Sequence, residues 1–336
     1  MREVIWIRRL AFIGTVLCLG VVVLGGYTRL SDSGLGCPDW PGCFGHIAPS
    51  GSAEHYATPL DVRKAWVEMI HRYFAEALGL LCIVIAALAI RARHERGVNA
   101  WLAVSLVPLV VLQGILGMLT VTWLLKPLIV TGHLLGGLTT LALLLWLWLS
   151  LRNHAVDGAS VQAGNTLVES GRKARLWAGL ALAALGLQIF LGGWTSSNYA
   201  AVACPDLPRC QDQWVPEANY DEAFVLWRGL GINYAGGVLD HPARVAIHFA
   251  HRVGAVVAST LLLIAAFLAA RGLGAGPRRA ALWVVAALVF QVGVAVFMVL
   301  RAFPLELAAA HNAGAALLVG ATVYLNRRLR PVPDFR

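Results

Sequence analysis

Residues 36–43 read GCPDWPGC and residues 203–210 read ACPDLPRC. Both carry the pattern Cys-Pro-Asp-x-Pro-x-Cys. It fits either a pair of metal sites or one fold unit, used twice, with a stapled loop. Working outward from the two copies decides the architecture. LGGYT at 24–28 matches LGGWT at 191–195, and the second glycine of each lies 11 residues before the first cysteine. IHR at 70–72 parallels AHR at 250–252. Gln113 precedes His133 by 20 residues, and Gln291 precedes His311 by 20. Landmarks recurring in one order mark an internal duplication.

The chain between the landmarks is apolar. Of 336 residues, 58% are hydrophobic and 13% charged, and the mean hydropathy is +0.69. Such a composition belongs to membrane proteins. Eight stretches, near 10–27, 66–90, 101–122, 128–150, 177–197, 244–270, 280–300 and 305–326, approach the roughly 20 helical residues that cross a bilayer. The first follows MREVIWIRR and has no small-x-small cleavage site, so it reads as an uncleaved span rather than a signal peptide. The predicted fold class is therefore all-α integral membrane: eight transmembrane helices as two pseudo-symmetric four-helix bundles. Their boundaries are residues 1–155, a polar cytoplasmic linker at 156–176, and residues 177–336. Four spans per unit is an even number, so the two units share one orientation, unlike inverted repeats.

The net charge of +9 is a topology signal rather than a sign of nucleic-acid binding. Of the 27 Lys and Arg, 17 fall on one side of the spans, from Arg2, Arg8 and Arg9, through Arg96 and Arg152, to Arg327, Arg328, Arg330 and Arg336. The positive-inside rule then places both termini in the cytoplasm and both Cys-Pro-Asp loops outside. Outside is an oxidising space, where disulfides persist. A zinc site takes about four ligands, and each loop offers two cysteines. The favoured reading is Cys37–Cys43 and Cys204–Cys210 as disulfides, with redox-active thiols and metal ligation as the competing readings. Cys18 and Cys82 fall within spans and read as small apolar filler.

Of ten histidines, His46, His55, His94, His154 and His241 fall in loops, and His248 lies in the sixth span. The other four obey the duplication: His71 with His251, and His133 with His311. Each lies five to nine residues past the outer start of its span, roughly 8–14 Å deep. Ionisable residues within spans are costly and point to function. Paired imidazoles on facing helices suit axial ligation of a haem iron. No Cys-x-x-Cys-His occurs, so covalent attachment is excluded. Arg72 and Arg252, directly after their histidines, are candidates for haem propionates or for an interhelical or interfacial hydrogen bond. The duplication breaks at Glu68, whose counterpart is His248, each three residues before its histidine. A buried carboxylate beside a metal centre is a candidate proton acceptor, with a salt bridge to a nearby arginine as the structural alternative. Gln113 and Gln291 suit interhelical hydrogen bonds. Glu76 has no partner that the sequence names.

EMIHR at 68–72, TGHLLGG at 131–137, IHFAHR at 247–252, HNAGA at 311–315 and the paired cysteine loops together resemble the haem A synthase family, in its bacterial type with cysteine pairs in both outer loops. The resemblance covers nearly the whole chain. It implies an oxidoreductase that converts the C8 methyl of haem O to the formyl of haem A for cytochrome oxidase. It implies His71 and His133 as axial ligands of the substrate haem, His251 and His311 as axial ligands of a haem b, and Glu68 as the catalytic carboxylate. It places the chain in the bacterial cytoplasmic (inner) membrane with the cysteine loops periplasmic. Candidate partners are haem O as substrate, haem O synthase, cytochrome oxidase assembly factors, an electron acceptor, membrane lipid and a second copy of the chain. A di-haem b-type cytochrome exchanging electrons with quinone shares the paired histidines; the Glu68/His248 asymmetry favours the enzyme. A transporter built from parallel repeats fits the four matched histidines less well.

Overall fold

The structure is a computed structural model that describes residues 2–49, 58–95, 97–151 and 165–330. Positions 156–164 of the linker, Arg96, Arg152, Arg336, His55 and His154 lie outside the described residues. The elements run α1 (Arg2–Leu30), α2 (Pro59–Arg91), α3 (Ala100–Thr122), α4 (Pro127–Ser150), α5 (Asn165–Ser197), the one-turn α6 (Tyr220–Ala223), α7 (His241–Ala270), α8 (Ala275–Leu300) and α9 (Leu305–Leu329), with a 3-10 turn at Ala201–Ala203. Eight of these helices are long and apolar enough to cross a membrane, and no strand occurs among the described residues. In hydrocarbon a helix satisfies its own backbone polar groups, which is why apolar runs of this length take that form.

The helix starts are written locally. Asn99 Oδ1 accepts the Leu102 N–H at the start of α3, and Asp240 Oδ1 accepts the Ala243 N–H at the start of α7. Prolines open α2, α4 and α7 in the first turn, where a missing N–H costs nothing.

Within residues 2–151, α1 packs on α2 and α4, and α3 on α2 and α4; within 165–330, α5 packs on α7 and α9, and α8 on α7 and α9. The two groups meet through α1, α4, α5 and α9. Small residues allow the close approach there. Gly26, the second glycine of LGGYT, abuts Asn312 of α9, and Gly193, the second glycine of LGGWT, abuts Leu134 and Thr131 of α4. On the loop side, Arg29 donates to the Ser196 carbonyl at 2.7 Å and lies over the Tyr199 ring.

Local backbone details recur at matching places. Positive φ occurs at Leu124 and Leu125 between α3 and α4, and at Ala302 and Phe303 between α8 and α9; also at Asp32 and Tyr199 past α1 and α5. The Trp40–Pro41 and Leu207–Pro208 bonds are both cis.

The principal apolar core, including Ile7, Cys82, Ile85, Leu144, Leu147, Leu262, Val284 and Leu325, fills the half of the bundle remote from the cysteine loops. Large apolar side chains such as Trp101, Val256 and Val289 lie on the outside, as lipid-facing surfaces do. The outer loop after α5 is longer than its counterpart and crosses to the other group of helices. The Tyr234 N–H donates to the Leu124 carbonyl at 3.0 Å. Lys126 is buried, donates to the Gly229 carbonyl, and lies 3.4 Å from the centre of the Trp227 ring. The loop also carries α6, whose Ala223 carbonyl accepts the indole N–H of the buried Trp194 at 2.9 Å.

Candidate functional site

Between the apolar core and the cysteine loops, α2 and α4 bring His71 and His133 together. Their ring centres are 6.4 Å apart and the planes are perpendicular. The Nδ1 atoms of both rings are buried without a hydrogen-bond partner among the described residues, and the Val21 backbone lies near the His71 ring. A buried polar atom left unpaired costs about 1–3 kcal/mol, so two such rings side by side have a reason to receive a ligand. A metal–imidazole bond of about 2.0 Å, with about 1.1 Å more from nitrogen to ring centre, places two rings on one metal about 6.2 Å apart. At the observed spacing His71 and His133 would hold one metal centre between them.

In the other group, α7 and α9 carry His251 and His311, close enough to interact electrostatically. Here the rings have side-chain partners. Gln188 Nε2 of α5 lies 2.9 Å from His251 Nδ1 and donates to the His251 carbonyl at 3.0 Å. Gln291 Nε2 of α8 lies 3.2 Å from both ring nitrogens of His311. Gln113, the counterpart of Gln291, leaves its Nε2 without a partner and does not reach His133. The first glycines of the LGG repeats explain how α1 and α5 come so close to the imidazoles. A Cβ on Gly25 would stand 2.7 Å from His71 Cε1, and one on Gly192 3.1 Å from His251 Cε1.

Above the imidazoles, both cysteine loops are closed by disulfides, Cys37–Cys43 and Cys204–Cys210. Each disulfide packs against the helix that carries the adjacent histidine: the first on Ala65 and Met69, the second on Val245. The motif aspartate organises each loop. Asp39 accepts the N–H groups of Phe44 (2.6 Å) and Gly45 (2.7 Å), and Asp206 those of Gln211 (2.7 Å) and Asp212 (2.9 Å). Burial works against ionisation of both carboxyls. The backbone donors, with the charge of Arg72 or Arg252 nearby, outweigh it and hold both below the usual aspartate range.

Arg72 and Arg252 clamp these loops to the helices. Arg72 Nη1 donates to the carbonyls of Asp39 (3.0 Å), Pro41 (3.2 Å) and Gly42 (2.6 Å), while Nη2 pairs with Glu68 Oε1 at 2.5 Å. Glu68 Oε2 accepts the Cys37 N–H at 3.0 Å. Arg252 donates to the carbonyls of Asp206 (2.8 Å), Arg209 (2.7 Å) and Cys204 (2.8 Å), and its Nε–H points to His248 Nε2 at 3.3 Å. Glu68 and His248 thus hold equivalent places beside equivalent arginines. Glu68 is the only buried carboxylate among the described residues. Glu76, also on α2, is exposed on the helix surface. Sequence reasoning missed the partnership of Gln188 with His251 and the role of Gly25 and Gly192. An isolated glutamine in the apolar run LALAALGLQIF was the available signal for the first.

Fold and site together define a multi-pass membrane protein with two pairs of imidazoles, each beside a disulfide-closed loop. The chain belongs to the cytochrome oxidase assembly protein family, whose model matches residues 8–323. It is 39% identical over 338 residues to the haem A synthase of Shewanella oneidensis, with 96% of each chain covered. It is 29% identical to the haem A synthase of Rhizorhabdus wittichii, over 94% of this chain and 91% of that one. It is 27% identical to human haem A synthase COX15, over 95% of this chain and 81% of that one.

Proposed function

We propose that this protein is a haem A synthase, an oxidoreductase that converts haem O to haem A. The observation that carries the reading is the His71–His133 pair, spaced for one metal macrocycle, with both Nδ1 atoms buried and unpartnered. Family membership supplies the reaction: oxidation of the C8 methyl to a formyl group. In this reading His71 and His133 hold haem O, and His251 and His311 hold a haem b that takes part in electron transfer. The haem iron supplies the redox chemistry when bound. The protein sets the His71 ring against α1 at Gly25, excludes water with the disulfide loop, and sets Glu68 one turn from His71. Glu68 is the group we assign to accept a proton during methyl oxidation; its support is that it is the buried carboxylate nearest the substrate pair. Arg72 then has two tasks, holding the loop and holding the Glu68 carboxylate in place.

The same reading makes residues 1–155 the substrate half and 177–336 the haem b half, related by an axis along the membrane normal. The recurring turns, loop hydrogen bonds and glycine contacts support it. With the basic residues cytoplasmic, the disulfide loops face the periplasm of a bacterial inner membrane.

The test is extraction and chromatography of haem from cells that co-express the protein with a haem O supply. Wild type yields haem A. His71→Ala and His133→Ala abolish it, and Glu68→Ala leaves haem bound but stops formyl formation. Haem b alone in the wild-type protein would instead identify an electron-carrying cytochrome, and full haem A formation by Glu68→Ala would remove that residue from the chemistry.

A further inference from the structure

The two crevices differ in what stands behind their imidazoles. Behind His251 stands the Gln188 amide, and behind His311 the Gln291 amide. Behind His71 the position equivalent to Gln188 is Val21, since both lie five residues before the second glycine of their LGG repeats. His133 has no amide either, because Gln113 does not reach it. A histidine that binds a metal through one nitrogen is oriented, and made more basic, by a hydrogen-bond acceptor on the other; losing that acceptor costs about 10–100-fold in metal affinity.

We propose that Gln188 is the positioning residue that makes the His251–His311 haem resident, and that the His71–His133 pair, with Val21 in the matching place, lacks this side-chain support. This rests on the function proposed above. Gln188 engages His251 Nδ1, so Nε2 is the nitrogen left for iron. An iron-bound imidazole carries its proton on Nδ1 and needs an acceptor there. Gln188 Oε1 is buried without a partner, and a half-turn of the amide about its last torsion brings that oxygen to Nδ1 without moving the helix. The half-turn pairs the unpartnered oxygen with the new N–H, in exchange for the Nε2 donation to the His251 carbonyl. No side-chain amide faces His71, which has the Val21 backbone near its ring instead. The division suits the two tasks. A substrate haem enters and a product haem leaves, so its ligands profit from weak support. A haem that only passes electrons profits from firm support.

The experiment uses full-length protein in detergent with the other pair removed. In the His71→Ala/His133→Ala background only the second crevice can hold haem, and its loss to excess apomyoglobin and its midpoint potential are measured. Gln188→Val should speed haem loss about 10–100-fold and raise the potential, because a less basic imidazole favours ferric iron less. Gln188→Glu, nearly isosteric and a stronger acceptor, should lower the potential. Opposite shifts distinguish hydrogen bonding from packing damage. Conversely, Val21→Gln in the His251→Ala/His311→Ala background should slow haem loss from the first crevice. Shifts of the same sign for both Gln188 variants, or none for Gln188→Glu, would overturn the assignment. If Gln188→Val does not fold, the Gln188→Glu shift decides alone. A background protein with Gln188 intact that holds no haem would overturn the functional reading itself, a different result from haem held but indifferent to Gln188.

Discussion

The sharpest quantitative expectation concerns the two arginine clamps. Arg72→Met and Arg252→Met each remove a guanidinium that donates to three carbonyls of a disulfide loop. That part of the cost is common to both and cancels in a comparison. What differs is the neighbour left behind. Arg72→Met strands Glu68, whose side chain is only 5% exposed and whose ion pair spans 2.5 Å. Arg252→Met leaves His248, an imidazole with a stable neutral form. Removing one partner of a buried ion pair costs about 3–5 kcal/mol, because a charge is left without compensation. Protonation of the stranded carboxyl limits the penalty, so the lower end applies. Arg72→Met should therefore be more destabilising than Arg252→Met by about 3 kcal/mol. The double variant Glu68→Gln/Arg72→Met should recover most of that excess. Denaturant unfolding at neutral pH, followed by maleimide labelling of the buried free thiols Cys18 and Cys82, reads both. An excess below about 1 kcal/mol, the level of an exposed pair, or strict additivity in the double variant, would refute the buried-pair account.

Three further expectations follow from the same geometry. Gly25→Ala should lower haem content in the first crevice more than Gly192→Ala does in the second, since the new Cβ would stand 2.7 Å rather than 3.1 Å from imidazole carbon; pyridine haemochrome assays read this in single-crevice backgrounds. Replacing Cys37 and Cys43 by serine opens a loop closed over a separation of six residues; chain entropy puts the loss at about 2 kcal/mol, measured by the same labelling assay. Asp39 and Asp206 have depressed values in the folded loops. Their contribution is therefore fully present above the unfolded aspartate value of about 3.9 and is lost as pH falls through the folded values. Hydrogen exchange at Phe44 and Gly45 should stay slow at neutral pH and accelerate only in strong acid, and Asp39→Asn should remove that acid dependence.

Much of the fold is legible in the sequence because membrane helices are decided by local composition. All eight apolar stretches became helices, and several helices run past the apolar run, α1 back to Arg2 and α5 back to Asn165. Basic ends remain helical because leaving the hydrocarbon does not break a backbone ladder. The disulfide loops were legible too: the Cys-Pro-Asp-x-Pro-x-Cys spacing favoured a short closed loop over metal ligation, and both copies close one. Single-letter features, a histidine or a glutamate at a fixed depth in a span, identified the candidate ligands.

What no local pattern carried is which side chain meets which. Arg72 and Arg252 had two readings in the sequence, and the structure gives both guanidiniums loop carbonyls, because the disulfide loops fold back over the first turns of α2 and α7. Gln113 and Gln291 look alike in the sequence, yet only Gln291 reaches its histidine. Gln188 and Val21 differ by one side chain in otherwise similar spans, and the meaning of the difference appears only where α5 packs on α7. The spans, the recurring landmarks and the inventory of imidazoles were readable along the chain, since insertion, disulfide closure and helix formation depend on residues near one another in it. The tertiary structure decided the pairing of His71 with His133, the Glu68–Arg72 bridge and the Gln188 contact. Those depend on helix rotation and close approach at glycine, which are set by packing between segments far apart in sequence.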